Sequence, residues 1–244
     1  MNNTHRAGVV TPAEWKAACL WLLAAEKDLT RAREALAADR RRMPWLKVDQ
    51  EYVFTGPNGT VRLPDLFDGR GQLLLYRAFF EPGLSGWPDH ACVGCSLMAD
   101  QVAHLAQLNA RNTTLAFASS VPQPDIERVK ARMGWVIPWY TGGFAADFGV
   151  AEWYGTNAFV RDSDSVYRTY FINDREHELI GGTLNSLDFT ALGRQEDWED
   201  WEDSPAGYSQ VPRYPWLNRH DEYGPTMPAS HPCTVDPGRG SCTV

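Results

Sequence analysis

The sequence predicts an α/β fold in which a mixed β-sheet is flanked by helices. Apolar, strand-like runs alternate with helical patterns through the middle of the chain, one hairpin pattern precedes them and a second follows them. Strands that alternate with helices form parallel pairs, and the hairpins add antiparallel strands. With 244 residues, 43% of them hydrophobic, the chain is long enough to bury one sizeable core.

The first predicted element is a long helix that begins after Thr11 and ends before Pro44. Thr11 and Glu14 have the spacing of a capping box, and Pro12 suits the first helical position. Large apolar residues recur every seven residues along this helix, at Trp15, Leu22, Leu29 and Leu36. A stripe of this kind packs either on its own domain or on a second copy of the helix. A homodimer through the N-terminal helix is therefore one of two interpretations.

The other elements follow from apolar runs, turn residues and helical spacing. We expect strands over 52–54 and 60–63, a strand over 73–80, a helix over 97–109, a strand over 113–118, a helix over 125–133, strands over 158–161 and 166–171, and a short helix over 184–192. This order divides the chain into an N-terminal helical arm (11–44), a main domain (45–223) and a flexible Pro/Gly/Ser-rich tail (224–244).

Cys92 and Cys95 are separated by two residues at the junction between strand 73–80 and helix 97–109. The N-terminus of a helix stabilises a thiolate through its unpaired N–H groups and its dipole. This position predicts a thiol–disulfide oxidoreductase in which Cys92 attacks and Cys95 resolves. Thiolates also bind copper or zinc, so a metal-binding protein that uses the same two cysteines is the alternative, and a non-catalytic dimeric module is a third.

Further residues are predicted to tune or line this site: Trp87, His90, Trp139 and Thr156. His90 stands two residues before Cys92, where an imidazole can hold a thiolate or move a proton. Trp139 belongs to an aromatic-rich segment that we expect to rim the same face of the sheet. In the metal alternative, His177 joins Cys92 and Cys95 as a ligand; otherwise no cofactor is expected.

Eight short motifs resemble a bacterial thioredoxin-like family known only as a domain of unknown function. They are Glu26–Arg33, Met43–Trp45, Asp65–Arg70, Cys92–Ser96, Met133–Trp135, Asp147–Val150, Leu192–Arg194 and His220–Tyr223. The resemblance covers about residues 11–223 and implies the thioredoxin fold with the N-terminal hairpin of peroxiredoxin-type members. The partners of a protein with this thiol pair would be small-molecule or protein thiols and disulfides.

The sequence departs from better-known relatives at two places. A peroxiredoxin has a hydroxyl residue where Cys92 stands. In that motif, the spacing of Cys95 from Pro88 would make Cys95 the peroxide-reactive cysteine. A thioredoxin has a cis-proline before the strand that faces the cysteines, whereas Thr156 and Asn157 precede strand 158–161 here. This difference favours a small-molecule substrate as a rival to a protein disulfide.

Composition excludes several other classes of protein. The net charge of −8 disfavours a nucleic-acid binder, and no apolar run is long enough to span a membrane. An odd number of cysteines, five in all, argues against a secreted disulfide framework, so we expect a cytoplasmic protein. Cys233 and Cys242 in the tail are either incidental thiols, a metal site with His231, or a relay that exchanges disulfides with the Cys92–Cys95 pair.

Overall fold

A computed structural model describes residues 8–83, 86–87, 91–102, 104–142, 154–190, 194, 196–198, 211–212, 216–223, 234–235 and 242–243. The chain divides into two compact units. One contains residues up to Pro44, and the other contains the sheet, from Trp45 onward.

The N-terminal helix α1 spans Pro12–Arg42, as its capping signals predict. The backbone N–H of Glu14 donates to Thr11 Oγ1, and the backbone N–H of Thr11 donates to the Glu14 carboxylate at 2.8 Å. Both bonds of the predicted capping box are therefore present. None of the residues of α1 is buried.

The second unit is built on an eight-stranded mixed sheet with the strand order β1-β8-β7-β4-β5-β6-β2-β3. Its elements in chain order are β1 (Leu46–Lys47), β2 (Val53–Gly56), β3 (Gly59–Arg62), a 3₁₀ turn (Leu63–Phe67), β4 (Gln72–Arg77), α2 (Val93–Asp100), α3 (Ala106–Asn109), β5 (Thr113–Ser119), α4 (Gln123–Met133), β6 (Trp139–Thr141), β7 (Gly155–Asp162), β8 (Ser165–Ile172), α5 (Asp174–His177), a 3₁₀ turn (Glu178–Ile180) and α6 (Gly182–Leu187).

The centre of this sheet has the thioredoxin arrangement that the resemblance implies. β4 pairs in parallel with β5 after a crossover that contains α2, and it pairs antiparallel with β7, which forms a hairpin with β8. The hairpin of β2 and β3 extends the sheet at one edge through β6. The predicted fold class, a thioredoxin-like mixed sheet with an N-terminal hairpin and a long N-terminal helix, is confirmed.

Alternating side chains of the central strands divide the core into two clusters. Leu73 and Leu75 of β4 lie in one cluster, which packs under the β2–β3 hairpin and the first 3₁₀ turn. Tyr76 of the same strand lies in the other cluster, with Cys95 of α2 and residues of α4. Because side chains point to opposite faces with a period of two, β4 presents Tyr76 to the face that carries α2.

Several elements differ from the sequence-based expectation. The helix expected over 97–109 is two helices, α2 and α3, although it starts at the cysteine pair as expected. Strands β1 and β6 were not predicted, since runs of two and three residues give almost no local signal. In the predicted tail, the structure describes only two short strands, Thr234–Val235 and Cys242–Thr243, which pair with each other. Within the described residues, none of the helices has the length and apolar character needed to cross a membrane.

Candidate functional site

Cys92 and Cys95 lie together at the start of α2, as predicted from their spacing. Cys92 is the N-cap residue of the helix, and its sulfur accepts a hydrogen bond from the backbone N–H of Cys95 at 3.3 Å. Both residues are free thiols. Cys92 is half-buried, whereas Cys95 is only 1% exposed. Cys92 is therefore the more accessible of the two cysteines to a reagent from solvent.

The two thiols have opposite acidities. A hydrogen bond from the Cys95 side chain, assisted by backbone N–H groups of Cys95 and Gly94, lowers the pKa of Cys92 to about 7 against the opposing effect of burial. Burial, together with the neighbouring Cys92, holds the pKa of Cys95 well above its ordinary value. Near neutral pH, Cys92 is thus partly a thiolate and Cys95 is a protonated donor to it.

Two further donors point at the buried sulfur of Cys95. The backbone N–H of Phe79 donates to Cys95 Sγ at 3.1 Å, and the Tyr76 hydroxyl shares a hydrogen bond with the same sulfur. Burial raises the pKa of Tyr76 well above its ordinary value, so its hydroxyl keeps its proton. These groups form a place where negative charge on Cys95 is stabilised when it develops.

His177 and Thr156 form a second pair behind Tyr76. The His177 ring is stacked on the Tyr76 ring, with centroids 5.1 Å apart and planes 10° apart, and His177 Nε2 lies 2.6 Å from Thr156 Oγ1. Burial lowers the pKa of His177 to about 4, so this imidazole is neutral at pH 7. His177 therefore lines the same cavity as the cysteines, while Thr156 is linked to Cys95 only through His177 and Tyr76.

A cavity of about 240 Å³ opens beside the two cysteines. Its wall is mostly apolar and includes side chains from three separate parts of the chain: Leu97 and Met98 of α2, Leu184 of α6, and Leu217. Asp174 and Glu178 also line the cavity, and the Glu178 carboxylate is paired with Arg194 at 2.7 Å. The site is thus a thiol pair at one end of a small apolar pocket.

The other predicted residues lie elsewhere. Trp87 packs on Phe80, with ring centroids 5.2 Å apart. Trp139 is 1% exposed and belongs to the core, where its indole N–H donates to Ser119 Oγ at 3.0 Å; it does not contribute to the cavity wall. His90, Cys233 and His231 lie outside the described residues, as does the side chain of Cys242.

The predicted metal ligands do not form a ready site. In the part of the chain that the structure describes, no group of three or more His, Cys, Asp or Glu side chains is placed to hold a metal ion. Cys92 and Cys95 are adjacent, but the Nε2 atom of His177 is directed at Thr156. The two sulfurs are thus the ligands that this arrangement offers to a soft metal ion.

Tyr76 is the contact of Cys95 that sequence analysis missed. It lies inside the apolar run of β4, where a tyrosine has the pattern of an ordinary core residue. A weak signal exists, because a buried tyrosine hydroxyl requires a hydrogen-bond partner. The identity of that partner, Cys95, depends on how α2 packs on β4 and is not a local property of the sequence.

Solved structures with similar folds include a thiol:disulfide interchange protein and an apo Sco1 protein, at low similarity. A thiol:disulfide interchange protein from Bacteroides sp. is 11% identical, with a TM-score of 0.41 over 66% of this chain and 98% of that chain. Apo Sco1 from Thermus thermophilus is 18% identical, with a TM-score of 0.34 over 56% and 87%. These likenesses carry no argument about activity.

Sequence comparison identifies the family of the chain. No curated protein matches it significantly. A family model described as "Bacterial protein of unknown function (DUF899)" matches residues 4–223, which include every candidate residue discussed above except the tail cysteines and His231. The chain belongs to this bacterial family, DUF899.

Proposed function

We propose that the protein is a thiol–disulfide oxidoreductase in which Cys92 is the attacking thiolate and Cys95 the resolving thiol. The observation that carries this proposal is the asymmetry of the pair. Cys92 is accessible and has a pKa lowered to about 7, while Cys95 is buried and protonated one helical turn away. We place the activity in the cytoplasm because the odd cysteine count does not suit an oxidising compartment.

The reaction proceeds in two exchanges. The Cys92 thiolate attacks one sulfur of a substrate disulfide, a bond forms between Cys92 and that sulfur, and the other half leaves as a thiolate that takes a proton from water. Cys95 then loses its proton and attacks Cys92 Sγ, so that the second half leaves as a thiol. Two electrons pass from the protein dithiol to the substrate disulfide, and the protein is left with a Cys92–Cys95 disulfide.

A single-turnover experiment tests this order. The background protein carries Cys19→Ser, Cys233→Ser and Cys242→Ser. After it reacts with a small disulfide, we expect a loss of two hydrogens, mapped to Cys92–Cys95. In that background, Cys95→Ser should trap a mixed disulfide on Cys92, and Cys92→Ser should not react.

A mixed disulfide on Cys95 in the Cys92→Ser variant would show that Cys95 attacks first. A wild-type pair that reacts no faster than a free thiol and forms no internal disulfide would refute the proposal. Copper or zinc retained by protein purified without added metal, and lost in both cysteine variants, would support the metal-binding alternative instead.

We also propose that α1 pairs with a second copy of itself. Its seven-residue stripe is exposed to solvent: 65% for Trp15, 51% for Leu22, 55% for Leu29 and 47% for Leu36. An apolar residue at every seventh position is the repeat that coiled-coil helices use to pack. Small residues follow the stripe at Ala18, Ala25 and Ala32, and they permit a close approach of two such helices.

A further inference from the structure

The cavity beside Cys92 has properties that narrow the choice of substrate. Its volume is about 240 Å³. A Leu/Ile/Phe-lined cavity of about 150 Å³ is enough to hold a benzene ring. The volume of this cavity therefore suits one ring-sized group with a short substituent, and the rest of a larger molecule would lie outside it.

The wall of the cavity selects for an apolar, uncharged group. Leu184 and Leu217 are 3% and 5% exposed, and together with Met98 they offer a surface that gains by contact with apolar atoms. The His177 imidazole is neutral at pH 7, since burial lowers its pKa to about 4. Asp174 in the same wall adds a negative charge that disfavours an anionic ligand, whereas the Glu178 carboxylate is paired with Arg194.

We propose that this cavity binds the apolar, ring-bearing half of a small disulfide and holds its sulfur against Cys92. This inference rests on the proposed function and adds its substrate class. In the first exchange, the ring-bearing half becomes bonded to Cys92 and the other half leaves as a thiolate. In the second exchange, Cys95 displaces the ring-bearing thiol, which leaves the cavity as the Cys92–Cys95 disulfide closes.

The test compares two uncharged disulfides, dipyridyl disulfide and bis(hydroxyethyl) disulfide, with the reduced protein at pH 7. Each rate is divided by the rate of N-acetylcysteine thiolate with the same disulfide, which cancels the difference in leaving groups. We expect the normalised rate of dipyridyl disulfide to be higher by about tenfold or more, because a buried ring adds binding affinity before the exchange. We also expect this rate alone to saturate with rising disulfide concentration.

Variants that fill the cavity supply the second arm. Met98→Trp and Leu184→Trp should lower the normalised rate with dipyridyl disulfide by about tenfold or more and abolish its saturation, a loss that exceeds any loss with bis(hydroxyethyl) disulfide. Leu108→Trp is the matched control, because Leu108 is a half-buried leucine of α3 outside the cavity wall. The wild-type saturation measurement keeps the test valid if a filled variant does not fold.

The outcomes separate the two levels of the argument. Equal normalised rates and linear concentration dependence for both disulfides would overturn the cavity proposal, while the exchange chemistry of Cys92 would stand. Failure of Cys92 to form a mixed disulfide with either reagent would instead overturn the proposed function itself.

Discussion

The lowered pKa of Cys92 gives a quantitative prediction for its alkylation by iodoacetamide. At pH 7 a thiol with a pKa of about 7, rather than the ordinary 9.0, is half ionised, about 50-fold more than the ordinary thiol. A more acidic thiolate is a weaker nucleophile, and with a Brønsted coefficient of about 0.45 the two pKa units cost about eightfold. We therefore expect Cys92 to be alkylated about sixfold faster than an unperturbed thiol at pH 7.

Two substitutions at one position isolate the cause of this acidity. The largest contribution to the lowered pKa is the hydrogen bond from the Cys95 side chain. Cys95→Ala removes the donor, and Cys95→Ser replaces S–H by O–H. In a background with Cys19→Ser, Cys233→Ser and Cys242→Ser, the pH profile of the alkylation rate should have its midpoint near 7. The midpoint of the serine variant should stay close to this value, and the midpoint of the alanine variant should lie at a higher pH.

Thiolate absorbance near 240 nm measures the same titration without a reagent. A midpoint near 9 in the background protein would refute the assignment of Cys92 as the activated nucleophile. Identical midpoints for the serine and alanine variants would show that the Cys95 side chain is not the donor, and would leave the backbone N–H groups as the source of the acidity.

Three other predictions concern residues around the pair and the first helix. Unfolded chains bind a proton at His177 below pH 6.5, but the fold resists it until about pH 4. The decrease in unfolding free energy between these pH values should therefore be smaller by about 3 kcal/mol in His177→Gln than in the wild type. Urea denaturation at each pH measures it, with the exposed His104→Gln as control. The same decrease in wild type and His177→Gln would contradict the burial of a neutral imidazole. Tyr76→Phe removes a donor to the Cys95 thiolate and should slow closure of the internal disulfide by about tenfold. Mass spectra of quenched reactions would then show a longer-lived mixed disulfide. An unchanged lifetime would exclude stabilisation of the Cys95 thiolate by Tyr76. Leu22→Glu with Leu29→Glu should convert a dimer to a monomer in analytical ultracentrifugation, and a monomeric wild type would refute pairing through α1.

Local signals were sufficient for most of the fold. The start of α1 follows from Thr11, Pro12 and Glu14, which act within one turn, and Thr11 and Glu14 form the expected bonds. The same holds for the hairpin of β2 and β3, whose turn residues lie between two short apolar runs. The break between α2 and α3 was not predictable, because no glycine or proline stands between Gln101 and Leu105 to interrupt the helical pattern.

Long-range contacts decide what the sequence left open about the site. The aromatic segment near Trp139 was expected to rim the cysteines, but β6 pairs with β5 and directs Trp139 into the core, where it stacks on Phe80 and Trp135. His177 was considered as a metal ligand, yet it is 3% exposed and stacked on Tyr76. Both outcomes depend on partners far away in the chain, and no local periodicity encodes them.

Which of the two cysteines attacks first, by contrast, follows from their spacing once the start of α2 is known. Residues three apart lie on one face of a helix, about 4.5 Å apart along its axis. With Cys92 at the N-cap, Cys95 must lie one turn further in, beneath the end of β4, where it is buried and meets Tyr76 and the Phe79 N–H. A peroxide would have to reach a sulfur that is 1% exposed if Cys95 attacked first, as the peroxiredoxin-like spacing suggested. The helix position therefore favours Cys92 as the first nucleophile, whatever the substrate.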